Sequence, residues 1–286
     1  MTKRKILSPN DAYLKAEEFA KSHYENFPVV SLFIKKEMRK HVAIIYWFAR
    51  TADDIADEDN FTVEERLLKI NNFNERLTHI VAGDYTDEYE HALYLTINER
   101  KLTPVHFFNL LKAFKQDIFQ QKWNTFNDIL DYCTNSANPV GRLILELYNV
   151  RDDKAFYYSD KICTALQLTN FYQDVSKDIL KNRIYFPIDE IEKFGVKLKS
   201  FELNENNDNL RRLVKFNVER AESFFREGEN LLNYLSGRLQ YEIKWTILGG
   251  RAILKKIIKS DYNVINIRPS LSKFDYFFLF LKSLMP

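Results

Sequence analysis

Tyr46-Trp47-Phe48-Ala49-Arg50-Thr51-Ala52-Asp53-Asp54-Ile55-Ala56-Asp57-Glu58 carries two helical patterns at once. Val42, Ile45, Phe48, Ala52 and Ile55 recur every three or four residues, the spacing of a helix with one face in a core. At about 100° per residue, Tyr46, Arg50, Asp53 and Asp57 fall within a sector of roughly 60°, with Asp54 beside it. Carboxylates one turn apart repel, so the helix gains nothing by aligning them. A divalent cation between them reverses the sign. Magnesium suits this arrangement, because it takes one or two carboxylates and completes its octahedron with phosphate oxygens and water.

A second stripe lies in Gln167-Leu168-Thr169-Asn170-Phe171-Tyr172-Gln173-Asp174-Val175-Ser176-Lys177-Asp178. Gln167, Asn170, Asp174 and Asp178 share a sector of roughly 80°, flanked by Leu166, Leu168, Phe171 and Val175. Polar groups set among apolar flanks need partners, which a metal–diphosphate cluster would supply. A lone acidic pair at helical spacing is ordinarily a solvated face. Two such stripes on different helices, both flanked by apolar residues, favour metal binding. Arg50 sits one turn from Asp54 and reads either as its surface partner or as a guanidinium fork for diphosphate. Arg39, Lys40, Arg142, Lys177 and Arg183 are further cationic candidates, and Tyr46 shares the face of the first stripe.

The same periodicity runs through the chain. Ser8-Pro9 with Asp11, Thr62 with Glu65, Thr103-Pro104, and Thr125 with Asp128 read as helix starts. Helices are predicted near 9–26, 36–58, 63–82, 87–99, 104–121, 126–148, 152–181, 205–235, 240–260 and 271–283. Pro139 and Gly141 should kink or break the sixth. With 7 Gly, 7 Pro and no linker-like stretch in 286 residues, the prediction is all-α, a single bundle over 1–286.

Composition excludes several classes. A net charge of +2, from 42 basic and 40 acidic residues, gives no reason to expect nucleic acid as a partner. Cys133 and Cys163 lack metal-ligand spacing and read as reduced, buried thiols of a cytoplasmic protein. Met1 to Lys5 leads into Ser8-Pro9 rather than an apolar run, so no signal peptide is expected. Phe274 to Met285 is apolar but too short to span a bilayer; it reads as a packed C-terminal helix or a peripheral membrane contact. The five histidines form no HExxH, and no Gly-rich phosphate loop or nucleophile motif occurs. Gly249-Gly250 reads as a close helix crossing. The 23 Phe, 16 Tyr and 3 Trp suit either core packing or an apolar tunnel whose ring faces stabilise a carbocation.

Four blocks in this order resemble the squalene/phytoene synthase family, from about His23 to about Arg268. They are Arg39-Lys40 with Ile45-Tyr46 and Ala49 to Asp57; Asp131-Tyr132-Cys133 with Pro139-Val140-Gly141; Ala165 to Asn170 with Asp174 and Asp178; and Asn182 to Pro187. His23 to Val29 and Ser136 to Arg142 look like the hydroxysqualene synthase subgroup of bacterial hopanoid pathways. Lys36 departs from the proline common before the Arg39 helix, which affects that local turn.

The resemblance implies an isoprenoid-synthase fold with a central cavity and an isoprenoid diphosphate substrate. Asp53, Asp57, Asp174 and Asp178 would hold several Mg²⁺ ions, with Asp54 and Asn170 assisting. Arg39, Tyr46, Arg50, Lys177 and Arg183 would contact the diphosphate. The subgroup's substrate would be presqualene diphosphate, ionised and captured by water, with Tyr132 steering water or pyrophosphate or else simply a buried tyrosine. NADPH stays open, since reductive members lack a dinucleotide fingerprint. The apolar product implies a site on the inner face of the membrane and partner enzymes of the squalene pathway. The competing readings are a head-to-head prenyl diphosphate condensing enzyme and a non-catalytic helical scaffold. Retention of all four stripe carboxylates argues against the scaffold.

Overall fold

The computed structural model describes residues 8–22, 34–58, 60–119 and 122–285. Met1 to Lys5, His23 to Val29 and the last turn of the helix predicted over 9–26 lie outside the described residues. The chain parts into two compact units, Met1–Phe119 with Arg142–Arg151, and Gln120–Gly141 with Asp152–Pro286. Among the described residues there is no strand, and an isolated parallel bridge pairs Lys122 with Ile184.

In the first unit, α2 (Lys36–Asp57) is the central helix. α1 (Pro9–Ser22), α3 (Val63–Val81), α4 (Glu88–Arg100) and α5 (Val105–Asp117) all pack on it. Its buried face includes Met38, Val42, Ile45, Phe48, Ala52 and Ala56, close to the stripe read from periodicity. Phe48 meets Phe73 and Phe107 with ring centroids 5.1 and 5.2 Å away. Thr62 and Glu65 close a full capping box on α3, so that helix begins where the sequence places it. Thr103 departs from its predicted role: α5 starts at Val105 without a side-chain cap, and the Thr103 hydroxyl and amide both donate to buried Glu146.

The second unit is built on α8 (Asp153–Gln173), which carries α12 (Asp208–Gly228), α13 (Gly237–Lys259) and α6 (Phe126–Ser136). Thr125 and Asp128 form the predicted box on α6. The helix predicted over 126–148 breaks at Ala137, and α7 (Asn138–Leu147) begins with Pro139 in its first turn, where a missing N–H costs nothing. Gly250 confirms the close crossing: a Cβ there would overlap the Phe225 ring and come within 3.0 Å of Leu166 Cδ2. α14 (Lys273–Ser283) packs on α13 and opens on a third capping box, Ser272 with Asp275.

Two expectations need correction. The helix predicted over 152–181 stops at Gln173; Asp174 leaves helical geometry (φ −101°, ψ 12°). α9 (Val175–Asp178) and a 3₁₀ turn (Ile179–Lys181) then follow, ending at left-handed Asn182. Asp174 and Asp178 therefore flank a bend rather than share one straight helix. Two short helices, α10 (Ile188–Lys193) and α11 (Leu198–Glu202), also lie where none was predicted. Cys133 is buried as expected, and burial pushes its thiol up to about 12; Cys163 is only half-buried.

Candidate active site

The first stripe occupies the C-terminal half of α2. Arg50 Nη1 lies 3.2 Å from Asp53 Oδ2, and its Nε lies 2.8 Å from Asp54 Oδ1. The Nε–H is not directed at that oxygen, so the second contact is an ion pair rather than a hydrogen bond. One guanidinium thus offsets two carboxylates, the surface pairing that spacing alone allowed. Tyr46 packs partly buried against the core and meets Phe19 at 6.1 Å between ring centroids. Arg39 and Lys40 turn elsewhere at the helix start. Arg39 Nε donates to the Ile34 carbonyl at 3.3 Å, and Lys40 lies over the Tyr13 ring and 3.9 Å from Glu99. At about 1.5 Å per residue, Arg39 is about 21 Å along the axis from Asp53.

The second stripe surrounds the end of α8. Asp174 is gripped by Arg268, whose Nε donates to Oδ1 and whose Nη2 donates to Oδ2 at 3.2 Å. Beside it, Gln173 Nε2 donates to the Pro269 carbonyl at 2.7 Å. These two tethers coincide with the break in the helix. Lys177 lies 4.0 Å from Asp174 and is largely exposed. The Asp174 carboxylate raises the Arg268 guanidinium above its already high range.

Asn182 turns the chain so that the Arg183 amide donates to the Asp178 carbonyl at 2.9 Å. Asp178 and Arg183 consequently line one crevice, walled by Phe171, Tyr185, Phe186 and Phe201. Phe171 and Tyr185 stack at 3.7 Å. Buried Tyr132 lies 6.1 Å from Phe171 and 5.0 Å from Trp123, so it belongs to the same aromatic cluster. Asn170 is partly exposed on the last turn of α8, one turn before Asp174.

Arg268 is the contact that sequence reading missed. It stands 94 residues from its partner in the segment after α13, and no spacing rule links the two. Among the described residues, no group of three or more His, Cys, Asp or Glu is arranged to hold a metal alone. The donor set still fits Mg²⁺. Both stripes offer only hard oxygen ligands within reach of solvent, for an ion that completes its shell with phosphate and water. No helix among the described residues is long and apolar enough to cross a membrane.

The family model for squalene/phytoene synthase matches residues 20–275. The hydroxysqualene synthase of Sinorhizobium fredii is 30% identical over 221 residues, 77% of this chain and 74% of that protein. The hydroxysqualene synthase of Zymomonas mobilis is 36% identical over 174 residues, 60% of this chain and 57% of that one. The crystal structure of squalene synthase HpnC from Alicyclobacillus acidocaldarius superposes with a TM-score of 0.84 at 36% identity, covering 89% of this chain and 96% of that chain. A dehydrosqualene synthase in complex with ligand superposes at 0.87 with 21% identity over 96% of each chain, which speaks for the fold.

Proposed function

The chain belongs to the squalene/phytoene synthase family and is an isoprenoid synthase of the squalene/hopanoid type, and from that premise we propose that it converts presqualene diphosphate to hydroxysqualene. The observation that carries the site assignment is the pairing of oxygen-only carboxylate sets with guanidinium groups, Arg50 on Asp53 and Asp54, and Arg268 on Asp174. Likeness to proteins called hydroxysqualene synthase supports the choice of substrate and product.

Asp53, Asp57, Asp174 and Asp178 are the proposed magnesium ligands, with Asp54 and Asn170 assisting. Bound Mg²⁺ supplies positive charge to the leaving diphosphate. Arg50, Arg183, Lys177 and Tyr46 are the proposed diphosphate contacts of the chain itself; Arg39, bonded to the Ile34 carbonyl about 21 Å along the helix axis from Asp53, is not kept among them. The cyclopropylcarbinyl C–O bond breaks, its electron pair leaves with pyrophosphate, and stabilising that developing charge is the main work of such a site. The cyclopropylcarbinyl cation rearranges beside ring faces such as those of Phe171, Tyr185 and Tyr132, which favour a cation. A water oxygen then bonds to the cationic carbon and loses a proton. Tyr132 is proposed to steer the water or the pyrophosphate. Nothing is oxidised or reduced in this sequence, so NADPH should leave product and rate unchanged.

Incubation with Mg²⁺ and presqualene diphosphate should yield hydroxysqualene, while farnesyl diphosphate alone should yield nothing. Product from farnesyl diphosphate would establish the condensing reading instead, and silence with both would establish the scaffold. A C30 product enters water reluctantly, since each CH₂ exposed costs about 0.8 kcal/mol. We therefore place the protein in the cytoplasm, in peripheral contact with the inner face of the membrane. Enzymes that make its substrate and reduce its product are the partners expected there.

A further inference from the structure

The C-terminal helix α14 turns its apolar side outward. Phe274, Phe277, Phe278, Leu281, Leu284 and Met285 are all exposed, Phe274 by 77% and Phe278 by 65%. At about 100° per residue the five from Phe274 to Leu284, the C-cap, occupy one arc of about 120°, and Met285 follows directly after the helix. The opposite side is the packed one. Ser283 is buried there, Phe280 meets Trp245 edge-on at 5.9 Å, and Asp275 pairs with Lys256 on α13 at 2.8 Å. A globular helix normally buries this stripe and shows the polar one.

Charge is distributed to match. Lys273 and Lys282 fall at the two edges of the stripe, about 20° and 40° beyond it. Beside Lys282, a groove of about 410 Å³ between α12, α13 and α14 carries Arg251, Lys255 and one acid, Glu222, with Leu248 and Leu279 on its walls. Arg251 is held by Glu222 and Glu229, whereas Lys255 and Lys282 are exposed. From residue 251 onward the sequence has seven Lys or Arg against two Asp or Glu, a net +5; the preceding 250 residues carry −3. The only acid on α14 is Asp275, already paired and held in the capping box.

We infer that α14, with the cationic edge of α13, is the face that docks on an anionic bilayer. The helix lies in the interface plane, its phenylalanines enter the acyl boundary, and the flanking lysines meet lipid phosphates. A second copy of the chain would cover the apolar stripe equally well, but would bring its own lysines against these, and like charge at an isologous edge is unfavourable. An anionic surface satisfies stripe and edge together. This inference rests on the membrane contact proposed above and assigns its surface and its lipid charge.

The test is flotation of the full chain with vesicles of phosphatidylcholine alone or with a third of phosphatidylglycerol. The unaltered chain should bind the anionic vesicles at least tenfold better than the neutral ones, and added salt should weaken binding. F277E/F278E should lose binding on both; K273E/K282E should lose the anionic preference. Melting temperature and molecular mass should be unchanged in all. F274S/F278S, milder and on the same stripe, replaces the first variant if that one fails to fold. Undiminished binding by the stripe variants would overturn the assignment of α14 while leaving membrane contact standing. No binding by the unaltered chain would remove the contact reading itself. A fall in mass on changing the stripe would identify a second copy as the occupant.

Discussion

Asp174, a proposed metal ligand, is already held by Arg268 through both carboxylate oxygens, and this governs how the second stripe should respond to ligands. Mg²⁺ alone must displace a guanidinium, and pyrophosphate alone must approach carboxylates of its own sign. Together they should therefore raise the melting temperature more than the sum of their separate effects; at a hundredfold excess over Kd the stabilisation is about 2.7 kcal/mol. Calorimetry with each ligand and with both would decide it, and no joint shift would leave the stripes without a ligand. Asp53→Asn or Asp174→Asn should lower turnover at least ~100-fold with the helical fold intact, because each loses a metal contact and no core packing. Circular dichroism and steady-state rates at saturating Mg²⁺ measure both halves. The carboxylates were legible in the sequence because they recur at helical spacing, along one face of α2 for Asp53 and Asp57 and across the bend for Asp174 and Asp178; Arg268 was not, because tertiary pairing across 94 residues leaves no local pattern. A buried histidine gives a separate prediction. His41 has no exposed side chain, its Nδ1 is bonded to Thr96 Oγ1 at 2.9 Å, and its Nε2 has no hydrogen-bond partner. Burial, aided by Arg100 and Lys40, lowers its pKa from 6.5 to about 4. A folded pKa below the unfolded one means stability is full above pH 6.5 and lost as pH falls towards 4. The full effect is on the order of 3 kcal/mol. Urea melts at pH 7.5 and 4.5 should show a smaller fall for His41→Gln than for the unaltered chain.

Helices were legible in proportion to how local their signals are. α3 and α6 begin at capping boxes visible as Thr-x-x-Glu and Thr-x-x-Asp, and the α6–α7 break follows from Pro139. The end of α8 was not visible, since Val175 and Ile179 continue the helical period through the bend and the tethers to Arg268 and Pro269 come from elsewhere in the chain. α10 and α11 are too short to show a period. The crossings of α8 with α12 and α13 rest on glycines and give a graded test. At Gly250 a methyl would collide with the Phe225 ring, a side chain with some freedom to move. At Gly228 it would lie 2.7 Å from Ile162 Cγ1 and 2.9 Å from the Ile162 backbone nitrogen, which has none. Alanine gains about 1 kcal/mol of helix propensity over glycine, against an overpacking cost of about 1–3 kcal/mol. Gly250→Ala should therefore be destabilising by roughly 1 kcal/mol and Gly228→Ala by more. Equal or reversed midpoints in urea would mean that the α8–α12 crossing is not held at this distance.

The chain as a whole passes between its two compact units at 119/120, 141/142 and 151/152, so neither unit is a continuous segment. The middle passage falls inside α7, whose Asn138 to Gly141 belong to one unit and whose remaining residues belong to the other. Asn138 lies 3.2 Å from Thr164 on α8, and Leu143 and Leu147 are buried in the core of the first unit. Unfolding either unit alone would strip one end of this ten-residue helix of its packing, and an isolated helix of that length is marginal in water. We propose that residues 1–286 consequently unfold as one cooperative domain, as the absence of any linker-like stretch suggests. Calorimetric and van't Hoff enthalpies should agree, and fluorescence from Trp47 in one unit and Trp245 in the other should report the same midpoint. For this purpose Trp123 is replaced by Phe, and each of the other two tryptophans is kept in turn. Midpoints that separate reproducibly between the two single-tryptophan forms would show instead two domains sharing a helix, each stable without the other.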